Sequence, residues 1–168
     1  MKIGILSDTH NHADNTRAAL AELRRRGIVR LVHCGDVTTP EIVHLFAGWD
    51  VTFVWGNMDR DWTGLTDAAR RIGAPIPKMS YEIEVDGKLI GVTHGADQQI
   101  LYNMMMSGKY EYLCHGHTHE RRDEVRSAYG VRLINPGALG GSRPQARSVC
   151  ILDPATGDLE FIEFPQMM

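Results

Sequence analysis

Cysteine is scarce. Cys34, Cys114 and Cys150 are the only three in 168 residues, and they stand far apart. An odd, dispersed set makes neither a disulfide framework nor a zinc-ribbon spacing. It fits a reducing compartment, so a cytoplasmic location is expected. Long apolar runs are missing as well, with nothing near the ~18 residues a membrane helix needs. The run Ile3-Gly4-Ile5-Leu6 is broken by Asp8 and His10, so it does not read as a secretory signal. There is no basic surplus either. A formal net charge of −3 gives no signature of nucleic-acid binding through a broad basic surface. Repeats and linker-like stretches are absent, and a single domain spanning 1–168, with a substantial core, is the expectation. Finally, no Ser or Cys sits where it would be activated as a nucleophile.

The first half alternates. A strand over 2–7 is followed by a helix over 13–26 that stops at Gly27. Arg24, Arg25 and Arg26 fall in its last turn, where positive charge suits the helix dipole better than it marks a phosphate patch. A second strand covers 29–34 and a third 51–55. Between them a short helix opens at Thr39-Pro40, with Thr39 as its N-cap. A further helix spans 61–71, and Pro75 and Pro77 end this half.

Then the pattern changes. Residues 79–85 and 88–93 read as a hairpin about Asp86-Gly87. A helix over 97–106 is capped by Asp97, and its Met stripe reads as core. Strands are expected at 110–114, 124–127, 131–135, 147–153 and 159–164, with a Gly-rich loop over 135–141. An α/β half followed by a β-rich half predicts two stacked sheets with helices outside.

The densest chemistry is His115-Gly116-His117-Thr118-His119-Glu120. In an extended segment His117 and His119 share one face, ~7 Å apart at Cα, and can feed one metal centre or two adjacent ions. A surface histidine cluster has the same local pattern, so the other strand ends decide. Those ends carry Asp8, His10, Asp36, Asn57 and His94, and polar residues at the carboxyl ends of α/β strands converge. Together with His117 and His119 they form a mixed N/O set suited to Mn, Fe, Co, Ni or Zn. Seven side chains are too many for one ion and suit two ions sharing a carboxylate. Such a pair, ~3.5–4 Å apart, clamps a phosphoryl group and acidifies a bridging water to hydroxide.

At this point the chain resembles the calcineurin-like metallophosphoesterases. The matching pieces are Asp8-Thr9-His10, Gly35-Asp36, Gly56-Asn57, His94-Gly95 and Gly116-His117-Thr118-His119, in family order. Length and Asn135-Pro136-Gly137 are most similar to the short, single-domain branch of bacterial and archaeal phosphodiesterases. The resemblance implies a four-layer α/β/β/α sandwich of two mixed sheets flanked by helices. It implies a phosphodiesterase with two divalent ions, Mn before Ni, Co, Fe or Zn, using a bridging hydroxide for in-line attack on phosphorus. Asp8, His10 and His119 would hold one ion and Asn57, His94 and His117 the other, with Asp36 bridging. The partner implied is a phosphodiester substrate, and a homo-oligomer is compatible.

Two departures bear on catalysis. Many larger members have His after Gly-Asn, where this chain has Met58, and many short members read His-Gly-His where it has His94-Gly95-Ala96. Asp59 and His12 are the remaining candidates for proton transfer, Asp59 equally as an anchor behind the ligands. Arg143 is a candidate for meeting a substrate phosphate, and equally a surface arginine. Cys34 and Cys114 precede metal motifs but read as core, since thiolates select softer metals. Arg121 and Arg122 read as a solvated strand edge. The rival from another class is a non-catalytic interaction scaffold on the same fold, similar to the retromer scaffold subunit; intact Asp36 and Asn57 favour the enzyme. A β-lactamase-type metallohydrolase matches only half its histidine motif.

Overall fold

Alternation along the strands decides how the layers stack. In the computed structural model, which describes residues 1–165, β1 (Ile3–Leu6) directs Ile3 and Ile5 to one side and Leu6 to the other. Likewise β2 (Arg30–His33) and β9 (Arg147–Asp153) divide their residues, Val32, Cys150 and Leu152 facing inward and Leu31, Val149 and Ile151 outward. With β3 (Asp50–Phe53) and β10 (Asp158–Phe164) they form a five-stranded sheet of order β10-β9-β1-β2-β3, with β1, β2 and β3 parallel.

The second five-stranded sheet is built from β4 (Ser80–Val85), β5 (Lys88–Thr93), β6 (Tyr112–Cys114), β7 (Arg122–Arg126) and β8 (Val131–Asn135), in the order β4-β5-β6-β8-β7. Here β5, β6 and β8 are parallel. Ile83, Val85, Ile90, Val92 and Ile134 meet Ile3, Ile5, Val32 and Leu152 in one core between the sheets. Outside the first sheet lie α1 (Ala13–Arg25), α2 (Pro40–His44) and α3 (Trp62–Arg71); outside the second lies α4 (Gln98–Met106). The α/β/β/α layering follows directly. Its consequence for function is that two sets of parallel strands end along one edge.

Local chemistry explains the element ends. Asp86 and Gly87 both have positive φ (51° and 73°), the hairpin turn that matches strand twist. Asp97 accepts from the N–H of Gln99 (2.9 Å) and Ile100 (3.2 Å), capping α4. Met104 is buried beneath it, as core. The arginine cluster is neutralised locally: Arg25 and Arg26 pair with Glu22, and Arg24 lies over the Trp49 ring at 4.0 Å.

Other details differ from expectation. Thr39 holds the N-cap position, but its hydroxyl donates to Asn11 Oδ1 (2.9 Å) instead of capping α2. The strand expected at 124–127 runs from Arg122 to Arg126, because a 3₁₀ turn at Ser127–Tyr129 takes up the following residues before Gly130. Val54 leaves β3 to bridge with Lys78. No helix of the described residues is long and apolar enough to cross a membrane.

Candidate metal centre

The loops leaving β1, β2, β3, β5 and β6 bring all seven expected ligands to one end of the sheets. Their backbone is unusual. Asp8, His10, Asn11, Asp36, Thr38, His117 and His119 all have φ between 43° and 75°. Positive φ is uncommon outside glycine, costs on the order of 1–3 kcal/mol at each residue, and clusters where sites need it.

These turns correct one expectation. The segment 117–119 is not extended, since His117 and His119 are both left-handed (φ 68° and 63°). Their imidazoles therefore diverge instead of sharing a face. Nε2 of His119 lies 3.2 Å from Asp8 Oδ1 and 3.0 Å from His10 Nε2. Nδ1 of His117 lies 3.1 Å from Asn57 Oδ1. His115 joins neither group: it is buried beside Arg122 (3.5 Å), and burial pushes it down to about 4.

The donors and acceptors do not match one another. His94 donates Nδ1–H to the Cys34 carbonyl (2.7 Å), which leaves the Nε2 of a neutral ring as a lone pair. That nitrogen faces two acceptors, Asn57 Oδ1 at 3.0 Å and Asp36 Oδ2 at 3.4 Å. Asp36 Oδ1 is taken by the Met58 N–H (2.8 Å), while Oδ2 also lies 3.6 Å from His10 Nε2. Asp8 Oδ2 accepts from the Ser7 hydroxyl and from the His117 N–H (3.1 Å), but the buried Oδ1 has no hydrogen-bond partner. Lone pairs converging on a shared space, with a buried carboxylate oxygen left unpaired, are the arrangement a cation resolves. The donor set fits a divalent transition metal.

Electrostatics agree. Burial would raise the Asp8 carboxyl, yet its contacts with His10 and His119 outweigh burial and hold it well below the usual carboxylate range. Asp36 is likewise lowered, burial being outweighed by His94. The contact with Asp8 raises His10. His94 is raised too, because Asp36 and Asp8 overcome its burial. Protons and metal ions answer the same negative potential.

Two groups of potential ligands are mutually close, Asp8 with His10 and His119, and Asp8 with Asp36 and His94. Asp8 is common to both, whereas the resemblance implies Asp36 as the shared carboxylate. The second oxygen of Asp8 is already occupied by donors, while Asp36 Oδ2 has an imidazole on either side. Asp36 Oδ2 thus lies between one imidazole of each set implied by the resemblance.

The other candidates are placed differently. Asp59 is buried, and its oxygens accept from the N–H groups of Asp36 (3.0 Å), Thr38 (2.7 Å) and Gly56 (2.7 Å). It clamps the two loops that carry Asp36 and Asn57. His12 is exposed, and no hydrogen bond among the described residues joins its side chain to the cluster. Arg143 donates to the Thr118 carbonyl (2.7 Å), tethering the histidine loop. All three cysteines are buried, burial pushes Cys114 up to about 12, and neither group of mutually close potential ligands among the described residues includes a cysteine.

Sequence reasoning missed the supports. Asn135 donates to the Gly116 carbonyl (2.9 Å) and Thr118 Oγ1 (3.0 Å), bracing the histidine loop from beneath. The buried Arg147 donates to the carbonyls of Gly140 (2.5 Å) and Gly141 (2.7 Å). It presses the glycine loop so close that a Cβ on Gly141 would sit 2.8 Å from His119 Cε1. The run Asn135–Gly141 is the available signal: its Asn135-Pro136-Gly137 carries part of the family resemblance, but its glycines alone read as irregular chain and give no bracing role.

Comparison with known proteins agrees with this geometry. A family model described as the calcineurin-like phosphoesterase superfamily domain matches residues 1–157. A phosphodiesterase of Methanocaldococcus jannaschii is 32% identical over 156 residues, covering 91% of this chain and 93% of that protein. A solved archaeal phosphodiesterase superposes with TM-score 0.88 at 31% identity, over 98% of this chain and 100% of its own. At 18% identity, a Zn²⁺ complex of Vps29 from Entamoeba histolytica (TM-score 0.68, 98% of each chain) shares the fold alone.

Proposed function

The chain belongs to the calcineurin-like phosphoesterase superfamily, and from that premise we propose that it is a phosphodiesterase whose centre holds two divalent cations. The observation that carries this is the unpaired, buried Asp8 Oδ1 amid imidazole nitrogens, beside a second set of lone pairs at Asp36, Asn57 and His94. Asp8, His10 and His119 would hold one cation and Asn57, His94 and His117 the other, with Asp36 placed between the two sets. When bound, such ions polarise a phosphoryl oxygen and acidify water enough to attack phosphorus in line at neutral pH.

The chain's own residues do the rest. Cys34 fixes the His94 tautomer through its carbonyl, and Met58 fixes Asp36 through its N–H. Asp59, engaged by three backbone N–H groups, holds the ligand loops together and is poorly placed to hand a proton to a leaving group. Met58 is exposed beside the site, and Ala96 is half-buried nearby. Neither offers an imidazole.

Substrates whose leaving group departs without a strong acid are therefore favoured. With one metal in place, bis-aryl phosphodiesters are expected to give a higher kcat/KM than simple alkyl phosphomonoesters. A panel of mono- and diesters, assayed on metal-free protein reloaded with single metals, measures this; faster cleavage of the alkyl monoesters would overturn it. The scaffold alternative rests on fold likeness alone, which does not choose a function.

A further inference from the structure

Beside the metal ligands opens a cavity of about 590 Å³ whose wall includes Asn57 and His94, so it communicates with the centre. This is an ordinary volume for a small-molecule site. Its lining also includes Trp55 and Trp62, stacked with ring centroids 5.6 Å apart and planes 20° from parallel. Trp62 is 58% exposed, and Met79, also in the lining, is 46% exposed. An indole left open to water next to a reaction centre is poor packing and a good platform.

The charges of this cavity are also uneven. Asp59 is engaged by three backbone N–H groups, and Asp97 is engaged in capping α4. Arg60, also in the lining, has neither a hydrogen bond nor an acidic partner among the described residues. A flat apolar shelf, an uncommitted guanidinium and a phosphoester centre thus share one space.

We propose that this cavity is a nucleoside subsite: the base extends the Trp55–Trp62 stack, and Arg60 meets the phosphate carried towards Asn57 and His94. The proposal rests on the phosphodiesterase reading and narrows its substrates to nucleotide esters. Trp62 acts in specificity, since stacking accepts any base face and distinguishes a nucleotide from a ring-free ester of the same phosphate.

Adenosine 5′-monophosphate and glycerol phosphate present the same phosphate monoester with and without a ring. Their affinities for the metal-loaded protein are read by calorimetry and by quenching of tryptophan fluorescence. The wild type is expected to bind the nucleotide at least tenfold more tightly, about 1.4 kcal/mol. Trp62→Ala should cut that ratio by at least about tenfold, and Trp62→Phe should retain most of it. Equal affinity of the two ligands for the wild type, or an unchanged ratio in Trp62→Ala, overturns the subsite. Hydrolysis of bis(4-nitrophenyl) phosphate by the same preparation reads the parent activity separately. Hydrolysis without nucleotide preference sinks the subsite alone, and preference without hydrolysis sinks the phosphodiesterase reading alone.

Discussion

Stripped of metal by a chelator, the protein is expected to lose at least ~1000-fold in phosphodiesterase activity, a loss of about 4 kcal/mol in transition-state stabilisation. Mn²⁺, Co²⁺ or Ni²⁺ should restore it. The ground is the chemistry of the donors. Imidazole, carboxylate and amide oxygen converge, whereas the cysteines that would select softer ions are buried outside the groups of potential ligands. The fold should survive this treatment, because the core between the sheets is assembled mainly from aliphatic side chains of both, with Tyr112 and the three cysteines, and includes none of the candidate ligands. Circular dichroism before and after chelation, beside activity and elemental analysis, separates the two effects. Full activity in protein demonstrably free of metal would contradict the account.

Asp36→Asn is expected to be the most damaging single substitution, lowering kcat/KM by at least ~1000-fold. Asp36 Oδ2 lies between His10 at 3.6 Å and His94 at 3.4 Å, one imidazole from each proposed ion site. An amide keeps the shape but discards the charge, and it bridges two cations poorly. Loss of groups behind metal ligands commonly costs ~10–100-fold, and losing a shared ligand should cost more. His119→Ala and Asn57→Ala should weaken mainly one ion each, since their contacts fall within separate groups. Metal content per chain and kcat/KM for the three variants test the difference. Two tightly held ions and near-normal turnover in Asp36→Asn would remove the bridging role.

The convergence of the candidate ligands was legible because strand periodicity placed Asp8, Asp36, Asn57 and His94 at strand ends, and strand ends meet in this class of sheet. The two-sheet layering followed from the same alternation. What escaped were features that depend on backbone turned out of the extended region. The left-handed φ of His117 and His119 sends them to different partners, which spacing alone cannot reveal. Similarly, Asn135 and Arg147 act through carbonyls of loops distant in sequence, so their side-chain identities carried no local signal. The stack of Trp55 on Trp62 needs the chain to turn between β3 and α3, and neither residue belongs to a recognisable motif.

The central claim is a pair of cations held by these seven side chains. Its most direct test is an anomalous-difference map from crystals of the Mn²⁺-loaded protein, collected above and below the manganese edge. Two adjacent peaks are expected, one among Asp8, His10 and His119 and one among Asn57, His94 and His117, with Asp36 in contact with both. A single peak, or peaks away from these residues in protein that hydrolyses phosphodiesters, would contradict it.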